Sequence, residues 1–227
     1  MTDRVTFLAH SDWDVAGILG ERACELGFSV SSSRADHGRA GLPAPGTFDL
    51  LVVMGSVRSV TDPSVGWIGP ERALVEGAVA EGVPVLGVCF GGQLLAQVLG
   101  GQVGRAPSPE IGWRLIETTD PERIPPGPWV SWHEDRFSAP PGAEPVARTP
   151  DCLQAFVLGA HTGVQFHPEA DRQIVRHWVE EARRHGSLDA EAADELLGGF
   201  GPDGRGPGDQ ARQLFDGFVE RAGRQLP

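Results

Sequence analysis

Val85-Leu86-Gly87-Val88-Cys89-Phe90-Gly91-Gly92-Gln93-Leu94-Leu95-Ala96 is the stretch that decides the fold of this chain. An apolar run, predicted as a buried strand over residues 83–88, ends at a cysteine, and a helix is predicted almost at once, over 91–99. So abrupt a change from strand to helix needs small residues around its apex. Gly87 and Gly91 stand two positions before and after Cys89. This is the pattern of a nucleophile elbow, with cysteine in the place of serine. Such a turn projects the sulfur from the carboxyl end of a sheet, where open α/β folds bind ligands. It also sets the sulfur at a helix N-terminus, whose partial positive charge favours the thiolate. The N–H of Phe90, next in the chain, is then a natural oxyanion donor. The competing reading is a packed core thiol at a strand end. Cys24 and Cys152, which lack this context, are read that way.

Outward from the elbow, residues 4–9, 28–32 and 50–54 read as further strands. Ser11 or Asp12 can cap a helix in which Val15, Ile18, Leu19 and Leu26 recur at helical spacing, and Pro70 can start another that runs to about residue 80. Strands alternating with helices predict βαβ units around a mainly parallel sheet. Past Gly100 the pattern changes to short strand candidates near 114–117, 129–132, 154–158 and 164–166, a short antiparallel region. Asp171 offers a cap for a helix to about 185, and two more helices follow near 189–197 and 208–222. Leu214, Phe215, Phe218 and Val219 form an apolar stripe on the last, which either docks on the same domain or serves a homodimer contact. The expected organisation is one α/β domain over residues 1–186 and a helical extension, 187–227, packed upon it.

Composition narrows the function. The formal charge of −12 weighs against nucleic acid and anionic membranes, which both require a basic footprint. No apolar run is long enough to cross a bilayer, and the first ten residues lack the basic flank and long apolar stretch of a signal peptide. Three cysteines form no paired framework, so a reducing cytoplasm is the expected location.

A thiol nucleophile needs a base. Among seven histidines, His167 stands out within Gly163-Val-Gln-Phe-His167-Pro-Glu169, where it follows an apolar strand candidate. Pro168 stops that strand. Glu169 can turn back to accept one imidazole N–H, leaving the other nitrogen for the thiol. Cys89, His167 and His133 do not have structural-zinc spacing, and neither a metal nor an organic cofactor is expected.

The segments Gly87-Val-Cys89-Phe-Gly-Gly-Gln93 and Phe166-His-Pro-Glu169 resemble the two signature motifs of the class I (triad) glutamine amidotransferases. The resemblance covers roughly residues 5–185. It is closest to stand-alone members similar to the amidotransferase domain of GMP synthase, which implies a flavodoxin-like open sheet. It implies that Cys89 is the nucleophile, that His167 and Glu169 are the catalytic pair, and that Gln93 helps to hold the α-amino and carboxylate end of bound glutamine. By the same resemblance Val52-Val-Met-Gly55-Ser56-Val-Arg-Ser-Val60 holds the oxyanion loop, its Gly55–Ser56 backbone completing the hole begun by Phe90. Trp132-His133-Glu134-Asp135 resembles the segment that lines the glutamine pocket. Glu110-Ile-Gly-Trp113 also recurs in such relatives, without an assignable role.

The chain departs from the family pattern at three places. Gly92 stands where relatives commonly have histidine, and Ser56 and Val57 replace the second glycine and the proline of the oxyanion loop. Glu134 stands where many relatives have glycine, as a charge that either repels a substrate α-carboxylate or binds an amino group. The implied activity is cleavage of glutamine to glutamate and ammonia through a Cys89 thioester, for a separate ATP-dependent synthetase. Two alternatives stay open: a γ-glutamyl peptidase or amidase, and a non-catalytic scaffold of the same fold.

Overall fold

The computed structural model describes residues 3–201, 204 and 206–223. Its first half alternates β1 (Arg4–Ala9), α1 (Gly17–Glu25), β2 (Ser29–Arg34), β3 (Leu50–Val53), α2 (Ile68–Ala80), β4 (Val85–Val88) and α3 (Phe90–Val98). A run of strands follows: β5 (Val103–Arg114), β6 (Glu117–Thr118), β7 (Trp129–Phe137), β8 (Glu144–Arg148), β9 (Leu153–Leu158) and β10 (His161–Val164). Helices α4 (Arg172–Arg184), α5 (Ala190–Gly198) and α6 (Gly208–Arg221) close the chain.

Eight strands form one sheet in the order β2-β1-β3-β4-β10-β9-β8-β6, and β5 and β7 form a separate antiparallel ribbon. From β2 through β10 the neighbours are parallel, while β10, β9, β8 and β6 pair antiparallel. Strand order reverses at β1, so the crevice beyond the carboxyl ends of β1 and β3 is the topological switch point. His10, Gly55, Cys89 and the segment leading to His167 leave strands β1, β3, β4 and β10 at that same edge.

Side-chain alternation along the strands builds a core on each face. Val5, Phe7, Leu50, Val52, Leu86 and Val88 face one cluster with Leu214, Phe215, Phe218 and Val219 of α6. Leu8, Leu51, Val53 and Val85 face the other, with Val75 of α2 and Phe90, Leu94 and Leu95 of α3. The α6 stripe is at most 1% exposed, covered by its own chain, which leaves it no free face for a second copy. Arg22 of α1 clamps it further by paired hydrogen bonds to Asp216, each 2.8 Å.

Several expected boundaries move. Neither Ser11 nor Asp12 caps α1, whose N-cap is Ala16 with no side-chain bond. Ser11 Oγ instead accepts from the N–H groups of Trp13 (3.1 Å) and Asp14 (3.2 Å), closing a turn ahead of the helix. Pro70 sits third in α2 rather than first, still within the turn whose N–H groups have no intrahelical acceptor. The cap expected for α4 is present, Asp171 accepting from Ile174 at 2.8 Å, and α5 is capped in the same way by Asp189, which accepts from Ala192 at 2.8 Å. The largest difference is the ribbon. The sequence reading places no strand before about residue 114, whereas β5 runs from Val103 through Pro107 and Pro109. A register shift between Arg105 and Glu110 accommodates the two prolines without ending the strand.

Candidate active site

Cys89 adopts φ 50° and ψ −106°, and among the described residues it is the one non-glycine with positive φ. A side chain held in that region is strained, and the surrounding backbone has to enforce it. Cys89 N–H donates to Val164 O (2.8 Å), Cys89 O accepts from Gln93 (2.9 Å), and Gly91 N–H donates to Met54 O (3.2 Å). The elbow is thereby tied to both neighbouring strands. The flanking glycines are required for close approach: a Cβ on Gly87 would lie 2.4 Å from Gly91 O, and one on Gly91 2.0 Å from Val53 O. Gly92 belongs with them, since its Cβ would meet Val164 O at 2.5 Å. In this chain the packing of α3 on β10 thus leaves no room for a side chain at this position.

His167 is brought beside Cys89 by β7, whose Val130 carbonyl accepts from His167 N–H at 2.8 Å. Its Nδ1 lies 2.8 Å from Glu169 Oε1, and the imidazole lies close enough to Cys89 for the two side chains to interact electrostatically. Burial alone would lower the His167 pKa, but the Glu169 carboxylate and Cys89 together raise it well above its ordinary value. Trp178 of α4 packs edge-on against the ring at a centroid distance of 4.7 Å. Glu169 also anchors α1: its carbonyl accepts from Ile18 N–H at 3.2 Å and would lie 2.1 Å from a Cβ on Gly17. Asp14, in the turn before α1, joins this electrostatic neighbourhood. Its carboxyl pKa is raised, chiefly by burial and further by Glu169, against the Ser11 hydroxyl and His10, which lower it.

Gly55 lies against the pair. A Cβ there would come 2.8 Å from His167 Cε1 and 3.7 Å from Cys89 Cβ, so only glycine lets the loop approach the nucleophile. Phe90 begins α3, and its N–H has no intrahelical acceptor. The candidate oxyanion donors, Phe90 and the Gly55–Ser56 backbone, thus flank the sulfur.

The expected substrate residues are placed differently. Gln93 is buried, its amide nitrogen engaged by Asp135 O (3.2 Å) and Gln165 Oε1 (3.3 Å), so it braces the pocket wall. His133 points away from the nucleophile: its Nδ1 donates to Asp135 O (3.0 Å) and its Nε2 lies 3.0 Å from Glu110 Oε2. Strand alternation is the reason, because the Trp132 and Glu134 side chains occupy the opposite face of β7. Glu134 is largely exposed and paired with Arg105, which partly neutralises the charge that sets this chain apart from relatives with glycine.

Glu110, of the motif without an assignable role, accepts from the Thr149 hydroxyl and the Gln154 amide, both at 2.6 Å, and pairs with His133. Burial opposes its charge, but these bonds win and its pKa is lowered. With Cys152 these residues form a group whose potential ligand atoms lie within 4.8 Å of one another. The Cys152 thiol is pushed up to about 11, chiefly by burial, and Glu110 is already held by Thr149 and Gln154, so the group reads as a polar brace behind the pocket.

Sequence reasoning missed several residues of the site. Gln165 Nε2 lies 3.6 Å from Cys89 Sγ, a donor aimed at the nucleophile. Asp135 accepts from the Ser59 hydroxyl at 2.6 Å, tying the oxyanion loop to β7. His10 bonds Gly55 O (2.7 Å) and Glu71 (2.8 Å). The available signal was position: polar residues at or just beyond the carboxyl ends of buried strands.

A cysteine at a strained elbow thus stands beside a histidine backed by a carboxylate, beyond the carboxyl ends of the parallel strands. The family model for glutamine amidotransferase class-I matches residues 15–177, and the chain belongs to that family. Glutamine amide hydrolysis is the general chemistry of that family. GMP synthase [glutamine-hydrolyzing] of Aeropyrum pernix is 38% identical over 157 residues, which are 64% of this chain and 28% of that protein. The chain therefore spans well under half the length of such relatives. The glutamine amidotransferase-like protein YfeJ of Salmonella typhimurium is 29% identical over 78% of this chain and 82% of its own length. A crystal structure of a glutamine amidotransferase from Methylobacillus flagellatus superposes with a TM-score of 0.83 at 28% identity, covering 100% of this chain and 97% of that one. One from Thermotoga maritima, at 24% identity and a TM-score of 0.82 over 98% of each chain, shares the fold. Among the described residues, no helix is long and apolar enough to cross a membrane.

Proposed function

We propose that this chain hydrolyses the side-chain amide of glutamine with Cys89 as nucleophile and His167 and Glu169 as catalytic pair. The observation that carries this reading is the contact of His167 with both Cys89 and Glu169 at a backbone strained to present the sulfur. The sulfur attacks the amide carbon, and the oxyanion is held by the N–H groups of Phe90 and the Gly55–Ser56 loop, each worth roughly 3 kcal/mol. Imidazolium His167 gives its proton to the departing nitrogen, releasing ammonia and leaving a γ-glutamyl thioester. His167 then takes a proton from water, which attacks the thioester to release glutamate and restore the thiol. Glu169 keeps the imidazole oriented and stabilises its charge throughout. The ammonia acceptor is a separate ATP-dependent synthetase.

The test is labelling with a glutamine-mimicking diazoketone, followed by peptide mass mapping. One equivalent should attach to Cys89, and none to folded Cys89→Ala; folded wild-type protein that takes no label would refute catalysis at this site. Measured beside it, amine release from γ-glutamyl amides and peptides should be slower than ammonia release from glutamine. A preference for conjugates of more than about tenfold would replace glutamine by γ-glutamyl compounds as the substrate class.

A further inference from the structure

The carboxyl end of β1 carries a histidine that the triad does not use. His10 is buried, and its side chain bonds a backbone carbonyl on one side and a carboxylate on the other. The carbonyl of Gly55 can only accept, so the 2.7 Å contact fixes a proton on His10 Nδ1. Nε2 lies 2.8 Å from Glu71 Oε1, on a fully buried side chain near the start of α2, where a helix N-terminus tolerates negative charge. The ring stacks on Trp67 at 4.9 Å and meets Phe90 edge-on at 4.7 Å. His10 thus touches both candidate oxyanion donors: it holds the carbonyl of the Gly55–Ser56 peptide and packs on the side chain of Phe90.

We propose that His10, held by Glu71, is a positioning residue that sets and polarises the oxyanion hole. In a trans peptide the N–H points opposite to the carbonyl. Drawing Gly55 O toward His10 therefore turns Ser56 N–H away from it, and on that other side Gly55 abuts Cys89 and His167. A hydrogen bond to the carbonyl also draws electron density from the amide, so the N–H of the same peptide becomes a stronger donor as the oxyanion forms. The carboxylate of Glu71 strengthens the effect by favouring imidazolium His10. Burial opposes that charge, yet Glu71 and the Gly55 carbonyl raise the His10 pKa.

The inference rests on the proposed nucleophile and oxyanion loop, so its test separates the two. Three measurements are compared in wild type, Glu71→Gln, His10→Asn and His10→Phe: glutamine hydrolysis, inhibition by the γ-aldehyde analogue of glutamine, and alkylation of Cys89 by iodoacetamide. The aldehyde forms a tetrahedral oxyanion adduct, whereas alkylation forms none. Wild type that neither hydrolyses glutamine nor binds the aldehyde would sink the functional reading itself. With that reading intact, Glu71→Gln should lower kcat and aldehyde affinity about tenfold each, with KM and alkylation rate within about twofold. His10→Phe should lose about a hundredfold, and His10→Asn, which keeps a donor near the Nδ1 position, should recover part of that loss. Circular dichroism monitors folding; if His10→Phe does not fold, Glu71→Gln and His10→Asn decide. Unchanged kcat and aldehyde affinity in Glu71→Gln would overturn the proposal, as would a parallel fall in alkylation.

Discussion

The parallel half of the sheet and the β5–β7 ribbon face each other across Cys89, and they are built on different principles. In the parallel half, geometry is stored in close backbone approach: Gly55, Gly87, Gly91 and Gly92 let strand, loop and helix come nearer than any side chain would allow. In the ribbon, geometry is held by a buried polar network of Glu110, His133, Thr149 and Gln154. A single methyl group should break the first. The second should break only when a charge or a hydrogen bond is removed.

The largest expected effect lies in the first region. Cys89→Ala should lower glutamine hydrolysis by more than about 10⁴-fold, measured as ammonia release by protein that remains folded. Comparing Cys89→Ala with Cys89→Gly isolates the stored strain. Both lose the sulfur, but only glycine accepts φ 50° freely, so the glycine variant should be more stable by about 1 kcal/mol in denaturant titrations. Equal stabilities would mean that the elbow is relaxed.

Two stability measurements set the regions side by side. Gly91→Ala forces a Cβ against Val53 O and should cost about 3 kcal/mol while abolishing turnover, because the elbow must move. Glu110→Ala should cost a similar amount, about 3 kcal/mol, by leaving the buried Thr149 hydroxyl and Gln154 amide without their acceptor. Per folded molecule, however, its kcat should stay within about threefold, since neither Glu110 nor His133 points at the nucleophile. A collapse of kcat in folded Glu110→Ala would show that the ribbon acts on the chemistry as well as on the wall.

The regions should also fail at opposite ends of the pH scale. His167 and His10 have raised pKa values, so the stability they contribute is fully present below the ordinary histidine value, near 6.5, and is lost as pH rises through their higher folded values. Glu110 has a lowered pKa. Its contribution is present above the ordinary glutamate value, about 4.3, and is lost as pH falls through the folded one. Thermal melts against pH should show His167→Asn flattening the alkaline limb and Glu110→Gln the acid limb. A shared limb would contradict the separation.

The same contrast explains what could be read from the sequence. Strands β3 and β4 are uninterrupted apolar runs and β1, after its first residue, is broken only by Thr6, because helices cover both faces, and their positions were legible to within a few residues. The candidate residues Cys89, His167 and Glu169 were legible because they stand beside small residues and a proline at fixed offsets. The β5 ribbon was not, since its buried face is polar and its edge tolerates Pro107 and Pro109. His10 and Gln165 were hidden for a different reason. Each meets its partner across the sheet, at sequence separations of 45 and 76 residues, which no local pattern encodes.

The smallest effect concerns the rim, where the two regions meet solvent. Glu134 and Arg105 are both largely exposed, and an exposed pair contributes at most about 1 kcal/mol. Arg105 also lies 3.6 Å from Asp135, so one guanidinium balances two carboxylates at this edge. Glu134→Gly restores the residue common in relatives and should change KM for glutamine by no more than about threefold, leaving kcat unaltered. Arg105→Ala should do more, because it leaves both Glu134 and Asp135 uncompensated at the rim. If Glu134→Gly instead lowers KM tenfold or more, the glutamate repels free glutamine. The same variant should then lose activity on substrates that offer a cationic group there, which would make the rim of the ribbon, rather than the elbow, the determinant of substrate class.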